Sequence, residues 1–110
     1  MSVLVRNESD TCAWVTIYNS TAWTPWSIED SAGGRPRFIH RHDKFYFSYS
    51  LDYAAEEIKI RAEMTSNADC SGGTRADVSA ENRDLNGGHG VIYIDSTISG
   101  SNGNYSVSQP

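Results

Sequence analysis

No stretch of the chain approaches the roughly 20 consecutive apolar residues that cross a bilayer as a helix, so no helical membrane span is expected. The opening, Met1-Ser2-Val3-Leu4-Val5-Arg6, does not read as a signal peptide, so the expectation is either a secreted protein whose leader is absent from this chain or a cytosolic one. Basic charge is scarce: nine Lys and Arg stand against fourteen Asp and Glu, a formal net charge of -5. The basic residues are scattered apart from a loose group at Arg35, Arg37, Arg41 and Lys44. Binding a phosphate backbone needs a concentrated positive face, so nucleic acid is not expected as a partner. We read the group as solvated charge around a turn, with an anionic sugar or lipid headgroup as the alternative.

Catalytic signatures are missing too. No serine occupies a Gly-x-Ser-x-Gly elbow, and no cysteine has local histidine support. Gly33-Gly34 runs into Arg35-Pro36 and Gly72-Gly73 into a strand pattern, so neither cradles phosphate ahead of a helix. Asp30, Asp52, Glu56 and Glu63 supply carboxylates, but no spacing sets two of them across a cleft. The run from Asp84 to Asp95 has the length of a calcium loop, yet Gly88 offers no ligand at the fifth place and His89 stands at the sixth, where glycine is required. A hairpin turn accounts better for its glycines, and no cofactor is expected.

What remains is a chain of 110 residues, 38% hydrophobic and 21% charged, which fits one folded domain over 1–110 rather than a disordered segment. Its two cysteines, Cys12 and Cys70, suit either one disulfide or two free thiols, and the disulfide is the preferred reading. Closing so long a loop would contribute about 4 kcal/mol by chain entropy. A disulfide implies an extracytoplasmic, secreted setting. The pair alone lacks the four closely spaced ligands of a structural zinc site.

Short alternating runs dominate the rest. In Ala13-Trp14-Val15-Thr16-Ile17-Tyr18 one face carries Ala13, Val15 and Ile17 and the other Trp14, Thr16 and Tyr18. Trp14 is read there as a packing residue, and a hairpin is expected between this run and Val3-Leu4-Val5 across the polar residues 7–10. Glu57-Ile58-Lys59-Ile60-Arg61-Ala62-Glu63-Met64 is apolar at every second place. A helix would put Ile58 and Ile60 about 200° apart, so a strand over 57–65 is predicted, preceded by at most one helical turn near 52–57. Phe38-Ile39 with Phe45, Phe47 and Tyr49 suggests a second hairpin around His42-Asp43-Lys44. Ala76, Val78 and Ala80 lead through Asn86-Gly87 to Val91-Ile92-Tyr93-Ile94, a third, and Ser101-Asn102-Gly103 turns into a last strand with Tyr105 and Val107 on one face. The sum is an all-β, antiparallel β-sandwich of seven or eight short strands. The stretch from Asp84 to Thr97 resembles the closing strands of aegerolysin-like lipid-binding sandwiches over a small part of the chain, and no residue role is carried over from it.

Candidate functional residues lie mostly in loops. Trp23 and Trp26 sit in Asn19-Ser20-Thr21-Ala22-Trp23-Thr24-Pro25-Trp26, a polar stretch broken by proline, where indoles stack on sugars, rest at a lipid headgroup boundary, or seal the end of a core. With Tyr18 they are the expected ligand-binding residues. His40 and His42, two apart on an extended strand, face one side and are weak candidates for metal, with His89 or Asp95 completing the set. Asn7-Glu8-Ser9, Asn19-Ser20-Thr21 and Asn104-Tyr105-Ser106 match the acceptor pattern for N-linked glycan. The function expected is a noncatalytic module recognising carbohydrate, a lipid headgroup or a protein surface. Its rivals are a small hydrolase or metal-dependent enzyme using the histidines, and a structural subunit pairing through sheet edges.

Overall fold

The structure is a computed structural model that describes residues 2–20, 27–28, 36–48, 57–82 and 93–108. Nine strands occur there and no helix: β1 (Ser2–Asn7), β2 (Ala13–Ser20), β3 (Ser27–Ile28), β4 (Arg37–Ile39), β5 (Lys44–Ser48), β6 (Glu57–Thr65), β7 (Thr74–Asn82), β8 (Tyr93–Ser101) and β9 (Asn104–Ser108). They form two sheets that do not close on themselves. The first has the order β5-β1-β8-β9; the second has the order β3-β2-β6-β7, with β4 also paired to β2.

Alternation sets the faces. Ala13, Val15 and Ile17 on β2, Ile39 on β4, and Ile60, Ala62 and Met64 on β6 are buried in one hydrophobic cluster with Val3, Val5, Phe47, Ile94 and Ile98 of the other sheet. Phe45, Ala76, Val78, Tyr105 and Val107 pack against it half-buried. The strand predicted over 57–65 has those bounds. A helical turn near 52–57 falls almost wholly outside the described residues.

Of the expected hairpins the last one, β8 with β9, is present, and β6 with β7 forms one that was not expected. β6 with β7 and β8 with β9 are antiparallel neighbours joined by short turns. The β8–β9 turn is Asn102-Gly103, with both residues at positive φ (54° and 89°), the type I′ geometry that suits a right-handed twist. Three expected hairpins are corrected. β1 and β2 lie in different sheets, as do β4 and β5, and β7 and β8. The sheet is also not wholly antiparallel, because β1 runs parallel to β8 from Ser2↔Tyr93 to Asn7↔Ile98. The physical reason is legible in Val3-Leu4-Val5, a continuous apolar run: all three are fully buried, as befits an interior strand flanked by β5 and β8 and covered on both faces.

The link between β1 and β2 crosses from one sheet to the other through polar residues that are buried and satisfied. The Asn7 carboxamide donates to the carbonyls of Thr11 (2.9 Å) and Ile39 (2.8 Å), and its oxygen accepts from the Ser9 amide (3.0 Å) and hydroxyl (2.6 Å). The Asn7 backbone accepts from His42 N (2.6 Å) and donates to Asp43 O (2.9 Å). One fully buried side chain thus ties the end of β1 to both crossing segments, 8–12 and 39–43. Among the three glycan-pattern asparagines, Asn7 is therefore closed to modification, while Asn104 is exposed.

Candidate functional site

The face of the second sheet opposite its core carries an aromatic and charged array. Pairing sets Phe38 of β4 beside Trp14 of β2, and Glu63 of β6 on the other side of Trp14 with Asp77 of β7 beyond it. The next rows place Thr16 beside Arg61, and Tyr18 beside Lys59. The rings of Trp14 and Phe38 meet edge-to-face with centroids 4.7 Å apart, a geometry favoured by the ring quadrupoles. Trp14 is half-buried and Phe38 is 45% exposed. The expectation that Trp14 packs inside is corrected: the inner face of β2 is filled by the smaller Ala13, Val15 and Ile17, and the indole lies on the outer one.

Arg61 is the electrostatic centre of this face. Its guanidinium makes a bidentate contact with Asp77 (Nε to both carboxylate oxygens at 3.0 Å, Nη2 to Oδ2 at 2.5 Å), and reaches Glu63 Oε1 and the Tyr18 hydroxyl, each at 3.4 Å. Hydrogen bonding to Asp77 raises the Arg61 pKa, and the same contact lowers that of Asp77, so both are charged across the ordinary pH range. The ammonium of Lys59 sits 5.1 Å from the centroid of the Tyr18 ring, within cation–π range. Tyr18 is thus half-buried, held by Arg61 at its hydroxyl and by Lys59 at its face.

Trp23 and Trp26 lie outside the described residues. β2 and β3, the strands on either side of them in sequence, pair at Asn19↔Ser27 and Tyr18↔Ile28.

The expected pairing of His40 with His42 is not what the described residues show. The Asp43 amide closes a turn onto the His40 carbonyl (3.1 Å) and His42 takes positive φ (64°), which breaks the extended alternation that would put both imidazoles on one side. His42 Nδ1 lies 3.8 Å from Glu8 Oε2, whereas His40 Nε2 lies 3.4 Å from Cys70 Sγ. His89 lies outside the described residues. Cys12 and Cys70 stand at disulfide distance (S–S 2.09 Å, Cα–Cα 5.0 Å), linking the start of β2 to the turn after β6.

Phe38, Arg61 and Asp77 join the site through cross-strand pairing and carry no local sequence signal of it. Arg61 was visible only as one of the charged residues alternating along β6; its partners lie on other strands, and no local spacing announces them.

No family model, curated protein or solved structure matches the chain.

Proposed function

We propose that the protein is a noncatalytic recognition module of the extracytoplasmic space, a β-sandwich that binds carbohydrate on the outer face of its second sheet. The sandwich reading rests on a hydrophobic cluster drawn from both sheets. The extracytoplasmic reading rests on the cysteine pair, since such bonds persist in oxidising compartments.

The observation that carries the binding proposal is the sharing of one sheet face by Trp14, Phe38 and Tyr18 with the Arg61, Glu63 and Asp77 cluster. Sugars present apolar C–H faces to aromatic rings and a rim of hydroxyls to charged donors and acceptors. This face offers both kinds of partner side by side, on strands whose register holds them in place. Trp23 and Trp26, which lie between β2 and β3 in sequence, are further candidate ligand contacts in this proposal. A lipid headgroup or a protein epitope would use the same rings, and each is an outcome of the test below.

Titration against immobilised polysaccharides and a glycan array tests the reading. Trp14→Ala, Phe38→Ala and Arg61→Ala should each weaken retention of a bound glycan with the fold intact by circular dichroism. Binding that is unaffected by all three, or absent from every glycan while anionic vesicles bind, would remove the carbohydrate assignment.

A further inference from the structure

We propose that the corner formed by Cys12, Cys70 and His40 is a redox-gated metal site: joined, the sulfurs form a crosslink, and reduced, they form with the imidazole a three-ligand site for Zn2+. The two Sγ atoms and a ring nitrogen of His40 lie within 4.8 Å of one another. His40 Nε2 stands 3.4 Å from Cys70 Sγ. A tetrahedral zinc with bonds of about 2.3 Å to sulfur and about 2.0 Å to nitrogen has an N···S edge of about 3.5 Å, so this edge of the site exists before the metal arrives. Two thiolates and an imidazole select zinc over calcium or magnesium, which take oxygen donors.

The backbone holds each ligand from a different element. Cys12 is fixed by its carbonyl, which accepts from Thr65 N at 2.9 Å. Cys70 has a positive φ of 74° in the turn after β6, where its amide donates to Asn67 O at 3.0 Å. His40 opens the turn closed by Asp43, directly after Ile39, whose carbonyl is held by Asn7. Cys12 is buried, Cys70 is half-buried and His40 is exposed, so the site has an inner wall and an open side for entry of the ion and a fourth, water ligand.

The chemistry balances with a dithiol or a trialkylphosphine as reductant. With the phosphine, the S–S bond breaks as two electrons pass from phosphorus. Water supplies the phosphine oxide oxygen and the two protons that complete the thiols. Zinc then displaces both thiol protons to solvent while neutral His40 donates the Nε2 lone pair, and the sulfurs move apart to about 3.8 Å by side-chain rotation. In the crosslinked protein neither sulfur is available as a thiolate, so the site is closed.

The test uses the whole chain, reduced with a trialkylphosphine that is then removed, and compares it with the crosslinked form. Zinc should raise the melting temperature of the reduced protein and leave the crosslinked one unchanged, because only binding to the native state stabilises it. Cobalt in place of zinc should give thiolate-to-metal charge-transfer absorption with tetrahedral d–d bands. His40→Ala should weaken binding by about tenfold or more, whereas His42→Ala should not. If the reduced chain unfolds, zinc must restore its near-ultraviolet circular dichroism. Equal affinity in His40→Ala, a melting temperature that zinc leaves unchanged or lowers, or failure to refold an unfolded reduced chain would each overturn the site.

Discussion

The Tyr105 hydroxyl donates a 2.6 Å hydrogen bond to Asp10 Oδ1, joining the last strand to the link between the first two across 95 positions of sequence. The other carboxylate oxygen accepts from the Asn102 amide at 3.1 Å. These contacts, the tyrosine first, hold the Asp10 carboxyl below its ordinary range, while partial burial and the same bond push the Tyr105 phenol up. The signs follow from linkage. Asp10 contributes stability that is present above the unfolded carboxylate value of about 3.9 and lost as pH falls through its lower folded pKa. Tyr105 contributes stability that is present below about 10 and lost as pH rises through its raised folded pKa. Tyr105→Phe should lower the melting temperature at neutral pH and flatten its dependence on pH at both ends, which thermal melts across the pH range would check. Unchanged slopes would show the bond to be energetically silent.

Asn7→Ala should be among the most damaging substitutions of a polar residue in the chain. It strips partners from the Thr11 and Ile39 carbonyls and from Ser9, all at buried positions, and a loss of about 3 kcal/mol is expected in urea denaturation. A cost below about 1 kcal/mol would mean that water replaces the carboxamide.

The two glycines flanking Asn102 near the turn of the last hairpin should differ in how severely they respond to alanine. At Gly100 (φ 122°) an added Cβ would run into the Asn104 carbonyl oxygen and the Tyr105 Cα, both main-chain atoms that cannot rotate away. Gly103 (φ 89°) has only the far end of Arg75 nearby, at 3.8 Å. Gly100→Ala should therefore prevent stable folding, and Gly103→Ala should cost about 1 to 2 kcal/mol from the left-handed backbone alone. Equal midpoints in denaturant for the two variants would contradict this.

Arg61→Ala should separate stability from recognition. Its ion pairs with Asp77 and Glu63 involve side chains between 28% and 45% exposed, so their loss should move stability by within about 1 kcal/mol. Glycan retention, in contrast, should fall by a large factor. A variant that unfolds instead would make Arg61 a structural residue first.

Cys12→Ser should cost about 4 kcal/mol, because the bond closes a loop over a sequence separation of 58 in the unfolded chain. Denaturation of the variant against the crosslinked parent measures it directly.

Local periodicity made β6 readable to its ends, since Ile60, Ala62 and Met64 alternate with charged residues and nothing competes with that pattern. The cysteine pairing was also within reach, as there was one partner for each. Sheet membership was not. Whether β1 turns back on β2 or crosses to another sheet depends on Asn7, whose carboxamide reaches Ile39, 32 positions away. The alternation of β2 showed two faces but not which one is inside; that was decided by β6, whose own small and aliphatic residues face Ala13, Val15 and Ile17 across the register. Phe38 became part of a site only because β4 pairs with β2, a contact that its three residues do not announce.

The parallel pairing of β1 with β8 sets a timetable for assembly. Residues 2–7 precede their parallel partners in the chain, and one of their two hydrogen-bonding edges stays empty until residues 93–98 follow. A nascent chain halted before that point holds Val3, Leu4 and Val5 without their final cover, and long-range closures of this kind are slow. β1 therefore completes its pairing only once β8 is in place, whereas β6 and β7 pair across a short local link.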